Sequence, residues 1–95
     1  MAKYTVRVEL HDAEGNDYDK LHEEMRKRGF SRILKINGVR YHLPTAEYSM
    51  VAISSRVRVL KRAEAAANAV KPHPKPSILV TSSALSRVFS GLKKA

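Results

Sequence analysis

Cysteine is absent from this chain of 95 residues. That removes disulfide staples and thiolate zinc sites, and nothing points to an oxidising compartment. No apolar run approaches the roughly 20 residues that a membrane helix needs. Met1-Ala2-Lys3-Tyr4 passes at once into an alternating segment, so no signal peptide is expected and the cytoplasm is the expected compartment. P-loop, nucleophile elbow and glycine-rich dinucleotide turn are missing, as are internal repeats. Acid is scarce in one half only. Residues 1–48 carry nine Lys/Arg against eight Asp/Glu, whereas residues 49–95 carry nine against Glu64 alone. A net charge of +9 so unevenly placed asks for a polyanion as partner.

What is present suffices for one folded domain over 1–95, with its core in 3–81. The chain is 43% hydrophobic and 28% charged, a globular rather than a disordered balance. A domain of this size buries about two thirds of its unfolded surface, which leaves little room for a deep cavity.

Tyr4, Val6, Val8 and Leu10 alternate with Thr5, Arg7 and Glu9, the pattern of a strand with one buried face. A polar loop, His11 to Gly15, follows. Asn16 or Asp17 can cap a helix whose apolar side is Tyr18, Leu21 and Met25, and Gly29 supplies its left-handed stop, with Phe30 folding back. Ser31 to Ile36 reads as a second strand. Asn37-Gly38 suits a type I′ hairpin turn. A third strand starts at Val39, bends at Pro44 and resumes around Glu47 to Ile53. Ser54 or Ser55 caps a second helix ending near Val70, with Val59 or Leu60, Ala63, Ala66 or Ala67 and Val70 on its inner stripe. Pro72, Pro74 and Pro76 stiffen a connector into a fourth strand, Ser77 to Thr81. Leu85, Val88, Phe89 and Leu92 suggest a short last helix over about 83–93.

The order β-α-β-β-α-β predicts an α+β, ferredoxin-like split βαβ sandwich of two layers, with both long helices on one face of a four-stranded antiparallel sheet. Val51 or Met50, and Leu79 or Ile78, would then point out of the other face. The C-terminal helix or a second copy would cover them, and a homodimer is the expected assembly.

In that topology the first helix ends where the second begins. Arg26, Lys27, Arg28 and Arg32 would meet Arg56 and Arg58, with Lys3 and Arg87 nearby and Lys61 and Arg62 continuing the stripe. Arginines in a first turn oppose the helix dipole, so their assembly there fits an anionic ligand such as a phosphate backbone. A solvated basic face without a partner is the bland reading of the same charges. The outward positions of the first strand hold no aromatic pair for base stacking, which disfavours an RNA-recognition-motif mode.

For catalysis the candidates are His11, Asp12 and His22. His11 and Asp12 share the loop after the first strand with Glu14 and Asp17, and His42 and His73 are expected at the same end. A His/Asp group could run acid–base cleavage of RNA or hold a divalent metal. The spacing matches no metal signature, and no motif indicates a cofactor or resident metal. The plain alternatives are an exposed polar loop for His11 and Asp12, and a half-buried structural histidine for His22. Tyr18, Tyr41 and Tyr48 read as core or interface aromatics.

Leu21-x-x-x-Met25, Gly29-Phe30-Ser31 leading into the second strand, and the hairpin followed by Pro44 resemble the GhoS-type proteins. These are small ferredoxin-like bacterial antitoxins described as endoribonucleases. The architecture is shared with Cas2-type CRISPR-associated nucleases and VapD-type ribonucleases, which dimerise through their sheets. The resemblance implies RNA rather than DNA as partner, and places Asp12 where the Cas2-type proteins bind metal. It does not extend to the basic second half or to the Pro72/Pro74/Pro76 connector. The resulting expectation is a small bacterial or phage RNA-directed protein, an endoribonuclease or antitoxin-like regulator that grips phosphates with a basic pole. Its rivals are a non-catalytic nucleic-acid-binding module and a structural or protein-interaction homodimer.

Overall fold

The computed structural model describes residues 2–83 and 91–95. Its elements are β1 (Ala2–Glu9), α1 (Asp17–Lys27), β2 (Ile33–Ile36), β3 (Val39–His42), β4 (Glu47–Ala52), α2 (Arg56–Val70) and β5 (Ser77–Ser83). The α+β class and the two long helices agree with the sequence pattern. The four-stranded sheet does not form. Instead β4, β1 and β5 make a three-stranded antiparallel sheet in that order, and β2 and β3 make a separate ribbon.

The break lies between Leu43 and Ala46. Pro44 cannot donate to a ladder, its carbonyl accepts from the Glu47 amide, and Ala46 takes φ +70°. That turn separates β3 from β4, so the expected single bent strand becomes two strands in two sheets. The ribbon stays attached to the sheet edge by one bridge, Ser31 to Ser49, with amide-to-carbonyl distances of 2.8 and 2.7 Å. Asn37 and Gly38 both take positive φ, as the I′ turn requires.

The alternation of β1 sets the layers. Tyr4, Val6, Val8 and Leu10 are buried with Tyr48 and Met50 of β4 and with Leu21, Met25, Phe30, Val59, Ala63, Ala66 and Ala67 from the helical side. The alanines let α2 approach the sheet closely. α1 ends as its sequence predicts. The Phe30 amide reaches the Met25 carbonyl at 3.0 Å and the Gly29 amide reaches Arg26 at 3.1 Å, with Gly29 at φ +90°, the Schellman pattern. The opposite face shows Lys3, Thr5 and Arg7, and of the pairs left open by the sequence it is Val51 and Leu79 that point out, both exposed.

Ser83 closes β5, Leu92 and Lys93 are irregular, and Lys94 bridges Tyr41 of β3. The helix expected over 83–93 is therefore absent at both ends; Leu85, Arg87, Val88 and Phe89 lie outside the described residues. Among the described residues no helix is long and apolar enough to cross a membrane.

Candidate nucleic-acid interface

Ser55 caps α2 by accepting the Arg58 amide at 3.2 Å, and the first turn holds no acidic residue. Arg56 and Arg58 thus sit at the positive end of the helix without a local counter-charge. A spacing of three, four and seven residues aligns Arg58 with Lys61, Arg62 and Ala65 on one face. Arg56 is turned about 200° away from Arg58 and leaves that stripe.

The end of α1 does come alongside this stripe. Lys27, Arg28 and Gly29 line one shallow hollow with Lys61, Arg62 and Ala65. Four cations from two helices share it.

The charges are not equally free. The Glu24 carboxylate takes both Arg28, at 2.7 Å, and Lys27, at 3.3 Å, and Glu23 takes Arg26 through two guanidinium nitrogens at 3.1 and 2.5 Å. Hydrogen bonds from Arg28 and then Lys27 hold the Glu24 carboxyl below the usual carboxylate range. Arg56, Arg58, Lys61 and Arg62 form no ion pair among the described residues. The α2 stripe is therefore less neutralised internally than the end of α1.

Arg26 and Arg32 do not join it. They line a second hollow with Asp19, His22, Glu23, Phe30, Ser31 and Ile33. The expected single pole of eight cations is thus corrected to two sites. Consecutive helical residues point about 100° apart, so Arg26, Lys27 and Arg28 cannot all face one way.

The catalytic candidates are likewise separated. His22 is half-buried on α1, with Nδ1 2.6 Å from the Tyr48 hydroxyl and the two rings 5.7 Å apart. Burial, and then the Arg32 charge, push the His22 imidazole below 6.5, while Asp19 pulls it back. Burial also pushes the Tyr48 phenol up. His11 is held elsewhere, its Nε2 2.8 Å from Ser77 Oγ and its Nδ1 3.6 Å from Glu9. Asp12 is exposed at φ +56°.

His42 does not reach the His11 loop; it pairs with Ile33 in the ribbon, and its amide donates to Lys93. His73 is exposed in the connector. Among the described residues no cluster of three His, Asp or Glu could hold a metal ion. Asp12 accordingly belongs to no such cluster among the described residues.

Sequence reasoning missed the His22–Tyr48 contact. Alternation along β4 marks Tyr48 as inward-facing, but nothing in the sequence gives the pairing across 26 positions. It also passed over the glutamates three and four residues before Arg26, Lys27 and Arg28, a spacing that announces those pairs.

The state of His22 is directly measurable. Its imidazole should titrate below 6.5 by NMR, and Arg32→Gln should move it upward. Because the folded-state pKa is depressed, the unfolded chain binds the proton more readily. The stabilisation is complete above pH 6.5 and is lost as pH falls through the folded value. A His22 titrating above 6.5 would contradict the described burial.

No family model, curated protein or solved structure matches this chain.

Proposed function

We propose that this is an RNA-directed protein that binds the sugar–phosphate backbone through the α2 stripe and the end of α1. The observation that carries the reading is the hollow shared by Lys27, Arg28, Lys61 and Arg62, extended along α2 by Arg58. Lys61 and Arg62 are exposed and have no local carboxylate partner among the described residues. Guanidinium and ammonium groups on a shallow surface suit phosphates, which position a strand without reading its sequence. The preference for RNA over DNA rests on the likeness to GhoS-type proteins.

Endoribonuclease activity is the second reading, and one observation favours a particular place for it. His22 shares a hollow with Arg26 and Arg32, an imidazole beside two guanidiniums. That set could move a proton and stabilise charge on a phosphodiester. His11 and Asp12 do not line that hollow.

Incubation with labelled RNA, with and without a chelator, separates the two readings. The binding reading predicts retarded but intact RNA under both conditions. Cleavage that persists in chelator and is lost in His22→Ala, but not in His11→Ala, would establish the second. RNA that is neither bound nor cut at low salt would sink both.

A further inference from the structure

A second cationic surface lies on the ribbon. Residues 31–43 contain Arg32, Lys35, Arg40 and His42 and no Asp or Glu. Lys35 and Arg40 are direct cross-strand partners, and both are exposed. Side chains at such positions stand on the same side of the ladder about 5 Å apart, and like charges there repel. The chain end adds to this. The His42 amide donates to the Lys93 carbonyl at 2.8 Å and the Ala95 amide to the Arg40 carbonyl at 3.0 Å. Lys93 and Lys94 are thereby laid along β3, where they bring further positive charge.

This surface continues onto the sheet. Lys35 lines a hollow with Lys3, Gly29, Ile33, Ile36 and Val51, and among the described residues no acidic one lines it. Lys3 and Val51 are cross-strand partners on the face turned from the helices. Lys3, Lys35, Arg40, Lys93 and Lys94 form no ion pair among the described residues. Gly29, at the end of α1, lines both this hollow and that of the α2 stripe, so the two surfaces adjoin.

We propose that the hollow between β2 and β4, with Lys3, Lys35 and Arg40, is a second nucleic-acid contact surface, so that one strand held on the α2 stripe continues past Gly29, which lines both hollows, onto the ribbon. The inference rests on the RNA-binding reading above and extends it to a surface that reading does not use. Charge complementarity selects the occupant. A second copy of this chain, itself at +9, would bring cations against cations, while a phosphate backbone relieves the repulsion between Lys35 and Arg40. Val51, Ile33 and Ile36 give the hollow an apolar floor against which unpaired bases can rest.

The test compares three proteins by fluorescence anisotropy with a labelled single-stranded RNA. They are the native chain, Lys35→Ser with Arg40→Ser, and Lys61→Ser with Arg62→Ser. Losing two phosphate contacts should lower the slope of log K against log salt by about 1.4 in each variant, and weaken binding about tenfold at 0.1 M salt.

The ribbon variant should melt no lower than the native protein, since it loses a like-charge pair; equal melting shows that its binding defect is not unfolding. Native-like affinity and slope in the ribbon variant, beside loss in the α2 variant, would overturn this proposal and leave the RNA-binding reading standing. No binding by the native chain would overturn both. A dimer in sedimentation that the ribbon variant dissociates would assign the surface to a second copy and likewise overturn the proposal.

Discussion

Reversing Lys61 and Arg62 together to glutamate should weaken RNA binding by about a hundredfold or more at 0.1 M salt. Two lost single-strand contacts remove about 1.4 from the salt slope, and two new negative charges add repulsion of similar size. Both residues are exposed on the middle turns of α2, where glutamate is a good helix former, so the fold should be preserved. Reversal of Lys27 should do much less, because that ammonium already spends part of its charge on Glu24 at 3.3 Å. Arg26 should be weaker still, held by Glu23 and facing the other hollow. The order matters more than any one value. Single reversals that each cost half as much in log K as the double reversal would mean that net charge, not the stripe, governs binding.

Truncating Leu21 to alanine should cost about 2–5 kcal/mol. Leu21 is fully buried and sits in the cluster joining α1, α2 and the sheet. It carries the inner face of α1 with Met25, and a three-turn helix has few other anchors. A domain of this size has about 5–15 kcal/mol to lose. Each kcal/mol lowers its melting temperature by about 4–8 °C, so a fall of at least about 8 °C is expected in a thermal melt followed by circular dichroism. Val57→Ala is the matched control, because Val57 is 61% exposed on α2 and its loss should cost less than about 0.5 kcal/mol. A Leu21→Ala protein that melts like the native one would mean that α1 does not pack as described.

Local signals in the sequence were strong wherever short-range geometry decides the outcome. The alternation of β1, the Gly29-Phe30 ending of α1, the Asn37-Gly38 turn and the Ser55 cap all appear in the structure where the residues place them. Long-range pairing was legible in part. A split βαβ order puts the first strand between the third and the fourth, and β1 lies between β4 and β5. The separation of the ribbon was not legible. β2 and β3 alternate as any strands do, and nothing in Ile33–Ile36 states whether its partner is the main sheet or only its own hairpin. Pro44 signals an interruption; it was Ala46 at positive φ, an unfavourable residue for that conformation, that turned a bend into a separation. The bridge from Lys94 to Tyr41 is still less predictable, since it joins positions 53 apart through backbone alone.

The site was half legible for a related reason. Helical spacing correctly aligns Arg58, Lys61 and Arg62, and topology brings Lys27 and Arg28 beside the last two. Treating Arg26, Lys27 and Arg28 as one block ignored the rotation between neighbours on a helix. The acid-free ribbon was visible as composition, but its role as a surface depends on which strands it pairs with and on where residues 93–95 lie.

The central claim is that unpaired cations along α2 are the main grip on a polyanion. The most direct measurement is the salt dependence of RNA affinity, taken side by side on the native chain and on Lys61→Glu with Arg62→Glu. A steep linear fall in log K for the native chain, flattened by the double reversal, is the predicted result. Two parallel lines, or native affinity indifferent to salt, would contradict it.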